Sequence, residues 1–161
     1  KLARNMDFDR AWKSIAAGLC GSAAHTALMA FKSCARILPS FQPYDDLQAL
    51  LAAVIGNSVS PVIPWVLSYF NGAVVFGFLF GRLYQVLPGR TGVMKGLIFG
   101  FGVWVAMGLI FFPAIGKGWF AAQTGLGIAP TVFTLVMVLT YSMTLGVAYS
   151  VFTSQTRGRS P

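Results

Sequence analysis

The sequence predicts an all-α integral membrane protein, a four-helix bundle made of two like-oriented helical hairpins. Composition, the length of the apolar runs and the placement of the charges each support this class. Hydrophobic residues make up 56% of the 161 residues and charged residues 10%, and the mean hydropathy is +0.70. A typical water-soluble domain is about 25% charged. We therefore treat residues 1–161 as a single membrane domain.

Four apolar runs are long enough to cross a bilayer, which takes about 20 predominantly apolar residues. They cover approximately residues 14–31, 62–87, 93–115 and 130–152. The turn sequence LPGR follows the second run, Pro113 lies at the end of the third, and Pro130 suits the first turn of the fourth. Each run predicts one membrane-spanning helix.

The basic residues lie mainly at one end of this predicted bundle. Nine basic residues share this end: they precede the first span, lie at the turn between the second and third, or follow the fourth. They are Lys1, Arg4, Arg10, Lys13, Arg82, Arg90, Lys95, Arg157 and Arg159. The other end holds Lys32, Arg36 and Lys117. Because basic loops stay in the cytoplasm, we expect both termini there. Such cations also meet anionic lipid headgroups, so we expect bound lipid, and the net charge of +8 requires no nucleic-acid partner.

The loop between the first two spans contains YDDLQALLAAVIG, residues 44–56. Its apolar residues have helical spacing, and Asp45 and Asp46 make its first turn acidic. The segment is too short to cross a bilayer. It predicts a short amphipathic helix on the external side, interfacial or re-entrant, that ends at Gly56.

Small residues at helical spacing predict where the helices pack closely. GFLFGRLY at residues 77–84 aligns with SMTLGVAY at residues 142–149, so the second and fourth spans look equivalent, through duplication or through convergence on small-residue packing. The predicted packing residues are Gly18, Gly21, Ser22, Gly77, Gly81, Tyr84, Gly92, Gly96, Gly100, Ser142, Gly146 and Tyr149.

Asn71 is a polar residue within the second span. At about 100° per residue, Gly77, Gly81 and Tyr84 share one face of that helix, whereas Asn71 and Gly72 lie roughly 100° or more around it. We predict that Asn71 hydrogen-bonds to a neighbouring helix; the alternative is a group that lines a pore or binds a substrate.

Three stretches, YFNGAVVFGFLFGRLYQVLPG, KGLIFGFGVW and YSMTLGVAY, resemble an uncharacterised family of small bacterial four-helix inner-membrane proteins. The resemblance covers most of the chain from Lys13 to Tyr149. It implies a four-helix fold and a location in the bacterial inner membrane, without an activity. Family members are expected to carry a polar residue, often histidine, near Asn71 and near Thr140 or Tyr141; this sequence departs from that pattern.

The sequence lacks the usual signs of catalysis. All four carboxylates, Asp7, Asp9, Asp45 and Asp46, fall outside the spans, so no buried acid is available for a proton relay or a hydrolytic pair. No metal-binding, phosphate-binding or nucleophile motif is present. We therefore expect a protein that is not an enzyme and that holds no metal site.

His25 is the one histidine of the chain and lies deep in the first span. It shares a helical face with small and polar residues, so that face should point at protein. Two interpretations are open. His25 binds a haem or chlorophyll-type pigment as an axial ligand, or it is neutral and hydrogen-bonded to a facing hydroxyl, amide or carbonyl.

These observations favour a non-catalytic accessory subunit of a larger membrane complex, respiratory or photosynthetic, with lipids and other integral membrane subunits as its partners. The first alternative is a small permease or channel, which repeated hairpins and a re-entrant segment would also suit. The second is a pigment- or haem-binding subunit that uses His25. No cofactor is predicted on the favoured interpretation.

Overall fold

The computed structural model describes residues 2–157, and the side chains of residues 9–154. The chain forms five helices, α1 Leu2–Cys34, α2 Pro43–Ile55, α3 Val62–Leu83, α4 Gly92–Ala114 and α5 Ala129–Arg157, with a short 3-10 turn at Trp119–Thr124. No strand occurs within residues 2–157. The predicted all-α four-helix class is confirmed.

Four of the helices are long and apolar enough to cross a membrane, which indicates a multi-pass membrane protein in contact with lipid. They are α3, α4, residues Asp9–Cys34 of α1 and residues Ala129–Ser154 of α5. The α1 start, the α3–α4 turn and the α5 end lie together at what we call the terminal end. The opposite side, with α2 and the 3-10 turn, is the loop end. The second span was predicted to reach residue 87, but α3 ends at Leu83. The amides of Val86 and Leu87 both donate to the Leu83 carbonyl oxygen, which forms a turn there.

Both middle spans contain a π-helical segment, Asn71–Phe76 in α3 and Met107–Phe111 in α4. A π-helical turn bonds residue i to i+5 and so takes one residue more than an α-helical turn. In α3 this brings Gly72 and Gly77, five residues apart, onto the same face against α1. The prediction that Gly72 lies well away from the Gly77 face is therefore wrong, because it assumed a uniform α-helical rotation.

Within each hairpin, glycine brings the two helix backbones into direct contact. In the first hairpin, a Cβ added at Gly18 would lie 2.7 Å from the Ala73 carbonyl oxygen. A Cβ added at Gly77 would lie 2.7 Å from the Ser14 carbonyl oxygen. In the second hairpin, a Cβ at Gly96 would overlap the carbonyl oxygen of Ser142. Such contacts leave no room for a side chain, so α1 and α3, and likewise α4 and α5, are locked together as pairs.

An aromatic cluster near the terminal end joins the two hairpins. Phe80 of α3 is fully buried, and its ring centroid lies 5.2 Å from that of Phe99 and 5.7 Å from that of Tyr149. Tyr84 stacks on Tyr149 with ring centroids 4.7 Å apart. Edge-to-face and tilted pairs of this kind are favourable beyond simple packing. The four rings thus hold α3, α4 and α5 in one core.

Candidate intramembrane sites

The twelve predicted packing residues all lie at contacts between helices. Ten are buried, and Gly81 and Tyr84 are partly buried. Gly18, Ser22, Gly77 and Gly81 lie between α1 and α3, and Gly21 lies between α1 and α5. Between α4 and α5 lie Gly92, Gly96, Gly100, Ser142 and Gly146, and the stacked pair is Tyr84 with Tyr149. The sequence pattern therefore located the contacts between helices.

The interhelical hydrogen bond near Gly72 comes from Tyr141, which the sequence analysis did not assign to any site. The buried Tyr141 hydroxyl on α5 donates to the Gly72 carbonyl oxygen, which also accepts from the Gly77 amide across the π-helical segment. A Cβ at Gly21 would lie 2.8 Å from the Tyr141 ring, so Gly21 makes room for that ring. The bond joins the two hairpins at mid-span.

Asn71 itself lies on the lipid-facing side of α3, near the middle of Val62–Leu83. Its side chain makes no hydrogen bond with any residue that the structure describes. The predicted interhelical hydrogen bond of Asn71 has no partner among the described residues of this chain, because the buried stripe of α3 runs through Gly72, Ala73, Gly77 and Phe80. Asn71 lies one residue to the side of that stripe.

His25 lies in the loop-end half of α1, beneath α2. The Tyr44 ring of α2 lies edge to face with the imidazole, with ring centroids 6.4 Å apart. The Trp65 ring of α3 also packs against Tyr44, with ring centroids 4.4 Å apart. Burial raises the pKa of the Tyr44 phenol, whose hydroxyl shares a hydrogen bond of 2.9 Å with Ser68 Oγ. Among the described residues, His25 makes an aromatic contact rather than the hydroxyl, amide or carbonyl hydrogen bond of the second interpretation.

The loop end also buries a cation. Lys32, at the end of α1, is 1% exposed, and its Nζ donates to the Phe41 carbonyl at 2.8 Å and lies 5.9 Å from the Phe133 ring centroid. Nearby, Lys117 pairs with Asp46 of α2 at 3.0 Å. These contacts close the loop end of the bundle and hold α2 against it.

A family model for a family of unknown function matches residues 8–160 of the chain. The chain belongs to DUF6789. The predicted membership of an uncharacterised family is thereby confirmed. The DUF6789 match covers all four spans and α2. A search of curated proteins and a search of solved structures each found no match.

In this DUF6789 chain, the histidine, cysteine and carboxylate side chains that the structure describes do not converge on a common site. Within residues 9–154, no three of the histidine, cysteine and carboxylate side chains lie close enough together to hold a metal ion. His25 lies at the loop end under Tyr44, and Asp9 lies at the terminal end, paired with Lys13. In the packed interior, the residues that converge are small ones that pack helices and aromatic ones that fill the core. The arrangement therefore suits holding helices together.

Proposed function

We propose that this DUF6789 chain is a non-catalytic membrane subunit that assembles with a different integral membrane protein. The observation that carries the proposal is the exposure of Asn71 at mid-span. Ionisable and polar groups within membrane helices almost always face protein or a water-filled cavity, and an amide left in hydrocarbon without a partner costs about 4 kcal/mol or more. A helix from a partner protein would supply the missing hydrogen bond.

The first hairpin also has an apolar surface that suits a helix. A shallow apolar groove of about 440 Å³ runs between α1 and α3, lined by residues that include Leu19, Trp65, Phe70 and Val74. Phe70 is 57% exposed. Helix association in membranes depends on shape and on a few hydrogen bonds, and the first hairpin offers an apolar groove and an exposed amide. A permease would need a polar cavity that reaches the middle of the bundle. The 940 Å³ cleft is lined only by residues near the terminal end, and glycine contacts pack the helices closely at mid-span, which favours a subunit over a permease.

The test is the removal of the Asn71 amide. Asn71→Leu should abolish copurification of the partner in mild detergent and leave the isolated chain as stable as before, because the amide has no partner among the described residues. Asn57→Leu, at an exposed asparagine outside the spans, is the matched control and should retain the partner. Quantitative mass spectrometry of the purified material measures the ratio. An unchanged partner ratio in Asn71→Leu would contradict the proposal, as would a complex made only of copies of this chain.

For location, we propose the bacterial inner membrane with both termini in the cytoplasm. The support is the charge asymmetry: Arg10, Lys13, Arg82, Arg90 and Lys95 lie at the terminal end. Cations of this kind stay on the cytoplasmic side during insertion.

The two cysteines test this orientation. Cys34 is exposed at the loop end of α1, and Cys20 faces outward within the span. A membrane-impermeant maleimide should label Cys34 from outside intact spheroplasts, and Cys34→Ser should remove the labelling. Cys20 should not react, because a membrane-impermeant maleimide does not enter the hydrocarbon region in which Cys20 lies. Labelling of Cys34 only after the membrane is permeabilised would reverse the proposed orientation.

A further inference from the structure

A cleft of about 940 Å³ opens at the terminal end of the bundle. The start of α1, the end of α3, the start of α4 and the end of α5 each contribute to its walls. We call it the basic cleft and define it by Arg10, Ser14, Arg82, Gln85, Lys95 and Tyr149. Its volume lies within the range of roughly 300–1,000 Å³ that is typical of sites for small ligands.

The basic cleft has an excess of positive charge. Its lining contains four cations and a single carboxylate, Asp9, which already pairs with Lys13. Arg10, Arg82 and Lys95 have no carboxylate within 4.0 Å among the residues whose side chains the structure describes. With four cations and one carboxylate, the lining has a net charge of +3, and three of its cations form no ion pair with a described side chain.

Two of these cations are held against the cleft wall by groups that leave their charge uncompensated. The Lys95 ammonium donates to the Tyr84 carbonyl oxygen and lies 4.5 Å from the Tyr84 ring centroid. The Arg82 guanidinium carbon lies 5.2 Å from the Phe78 ring centroid. An ammonium has three donors and a guanidinium five, so both retain donors for a ligand.

The depth of the cleft is limited by the packed interior. Ser14 is 2% exposed, and its hydroxyl donates to the Arg10 carbonyl at 2.7 Å. Gly81 and Tyr149 close the floor beside Ser14. The cleft is therefore a shallow, open depression at the terminal end of the bundle. A ligand bound there would keep its polar part at the level where the spans end.

We propose that the basic cleft binds a phosphate group, carried by an anionic phospholipid headgroup or by a free phosphate compound. Guanidinium groups bind phosphate through two parallel hydrogen bonds, and an ammonium adds a point charge. Basic pockets between membrane helices are suited to phosphate-bearing headgroups. In this chain, Arg10 and Arg82 supply the guanidinium groups and Lys95 the ammonium. This inference does not depend on the proposed function.

Binding is tested on the delipidated protein in detergent with three probes: dioctanoyl-phosphatidylglycerol, dioctanoyl-phosphatidylcholine and sodium phosphate. Native mass spectrometry should show phosphatidylglycerol bound at least tenfold more tightly than phosphatidylcholine, because phosphatidylglycerol is a net anion and phosphatidylcholine is not, and each cation of the cleft that the anion meets adds about fivefold. Displacement of phosphatidylglycerol by millimolar phosphate would assign the site to the phosphate group alone. Retention of the lipid would assign it to the headgroup of a lipid. Equal binding of the two lipids, with no effect of phosphate, would overturn the inference.

Variants separate the cleft from the general charge of this end. Arg82→Gln should weaken phosphatidylglycerol binding about fivefold, whereas Arg90→Gln should change it by less than twofold. Arg90 is exposed in the α3–α4 turn at the same end and lies outside the cleft. If Arg82→Gln does not fold, Arg82→Lys keeps the charge without the paired donors and should still bind more weakly than the unaltered protein. Equal losses in the Arg82 and Arg90 variants would show attraction to the whole surface and would overturn the inference.

Discussion

Gly96→Leu should prevent the chain from accumulating as a folded monomer. Gly96 of α4 lies directly against the backbone of α5, where even a Cβ would overlap the Ser142 carbonyl oxygen. A backbone cannot rotate away as a flexible side chain can, so the two helices would have to separate. Overpacking in a close-packed interior costs about 1–3 kcal/mol, and a leucine against a backbone should reach or exceed the upper value. Size-exclusion chromatography of detergent extracts measures the folded fraction.

The same helix contains a matched control. Gly102 is also a glycine of α4, but a Cβ added there would have no heavy atom within 4 Å. Gly102→Leu should therefore fold as well as the unaltered chain, and helix propensity favours it by about 1 kcal/mol. Equal folded fractions for the two variants would show that glycine packing does not hold α4 against α5.

Phe80→Ala should lower stability by about 3 kcal/mol, within the range measured for buried phenylalanines. Phe80 is 0% exposed and contacts three other rings, those of Tyr84, Phe99 and Tyr149. Its loss removes the ring contacts that Phe80 makes with both helices of the second hairpin. The melting midpoint of the purified protein in detergent reports the change.

Phe70→Ala on the same helix is the control for Phe80→Ala. Phe70 is more than half exposed and faces outward, so its removal from the isolated chain should shift the midpoint by a small fraction of the Phe80 effect. Comparable shifts would mean that the aromatic cluster adds no more to stability than a lipid-facing ring does.

The class of fold could be predicted from the sequence because it depends on bulk properties. The length of the apolar runs and the scarcity of charge decide that the chain spans a membrane four times. The stripes of glycine and serine located the contacts within each hairpin, because close approach of two backbones requires small residues. Residues 44–56 have apolar residues at helical spacing but are too few to cross a bilayer, which predicts a short helix. The structure has α2 at Pro43–Ile55.

Three features could not be predicted, each for a physical reason. The π-helical segment at Asn71–Phe76 changes the rotation of everything before it on α3, and no residue type marks its position. As a result, the shared face of Gly72 and Gly77 and the bond from the Tyr141 hydroxyl to the Gly72 carbonyl oxygen were not predicted. Lys32 was counted only as a charge at the loop end, yet the Phe41 carbonyl and the Phe133 ring enclose it, which depends on how a loop folds back.

The most direct test of the assembly proposal is photo-crosslinking in native membranes from a position beside Asn71 that leaves its amide in place. A benzoylphenylalanine placed at Leu67, which is 42% exposed one helical turn before Asn71, should give one discrete adduct that contains a different integral membrane protein. The same probe at Ile110, which is 71% exposed on α4, should give adducts with lipid only. Lipid adducts alone at both positions would contradict the account, because Asn71 would then face the bilayer without a partner.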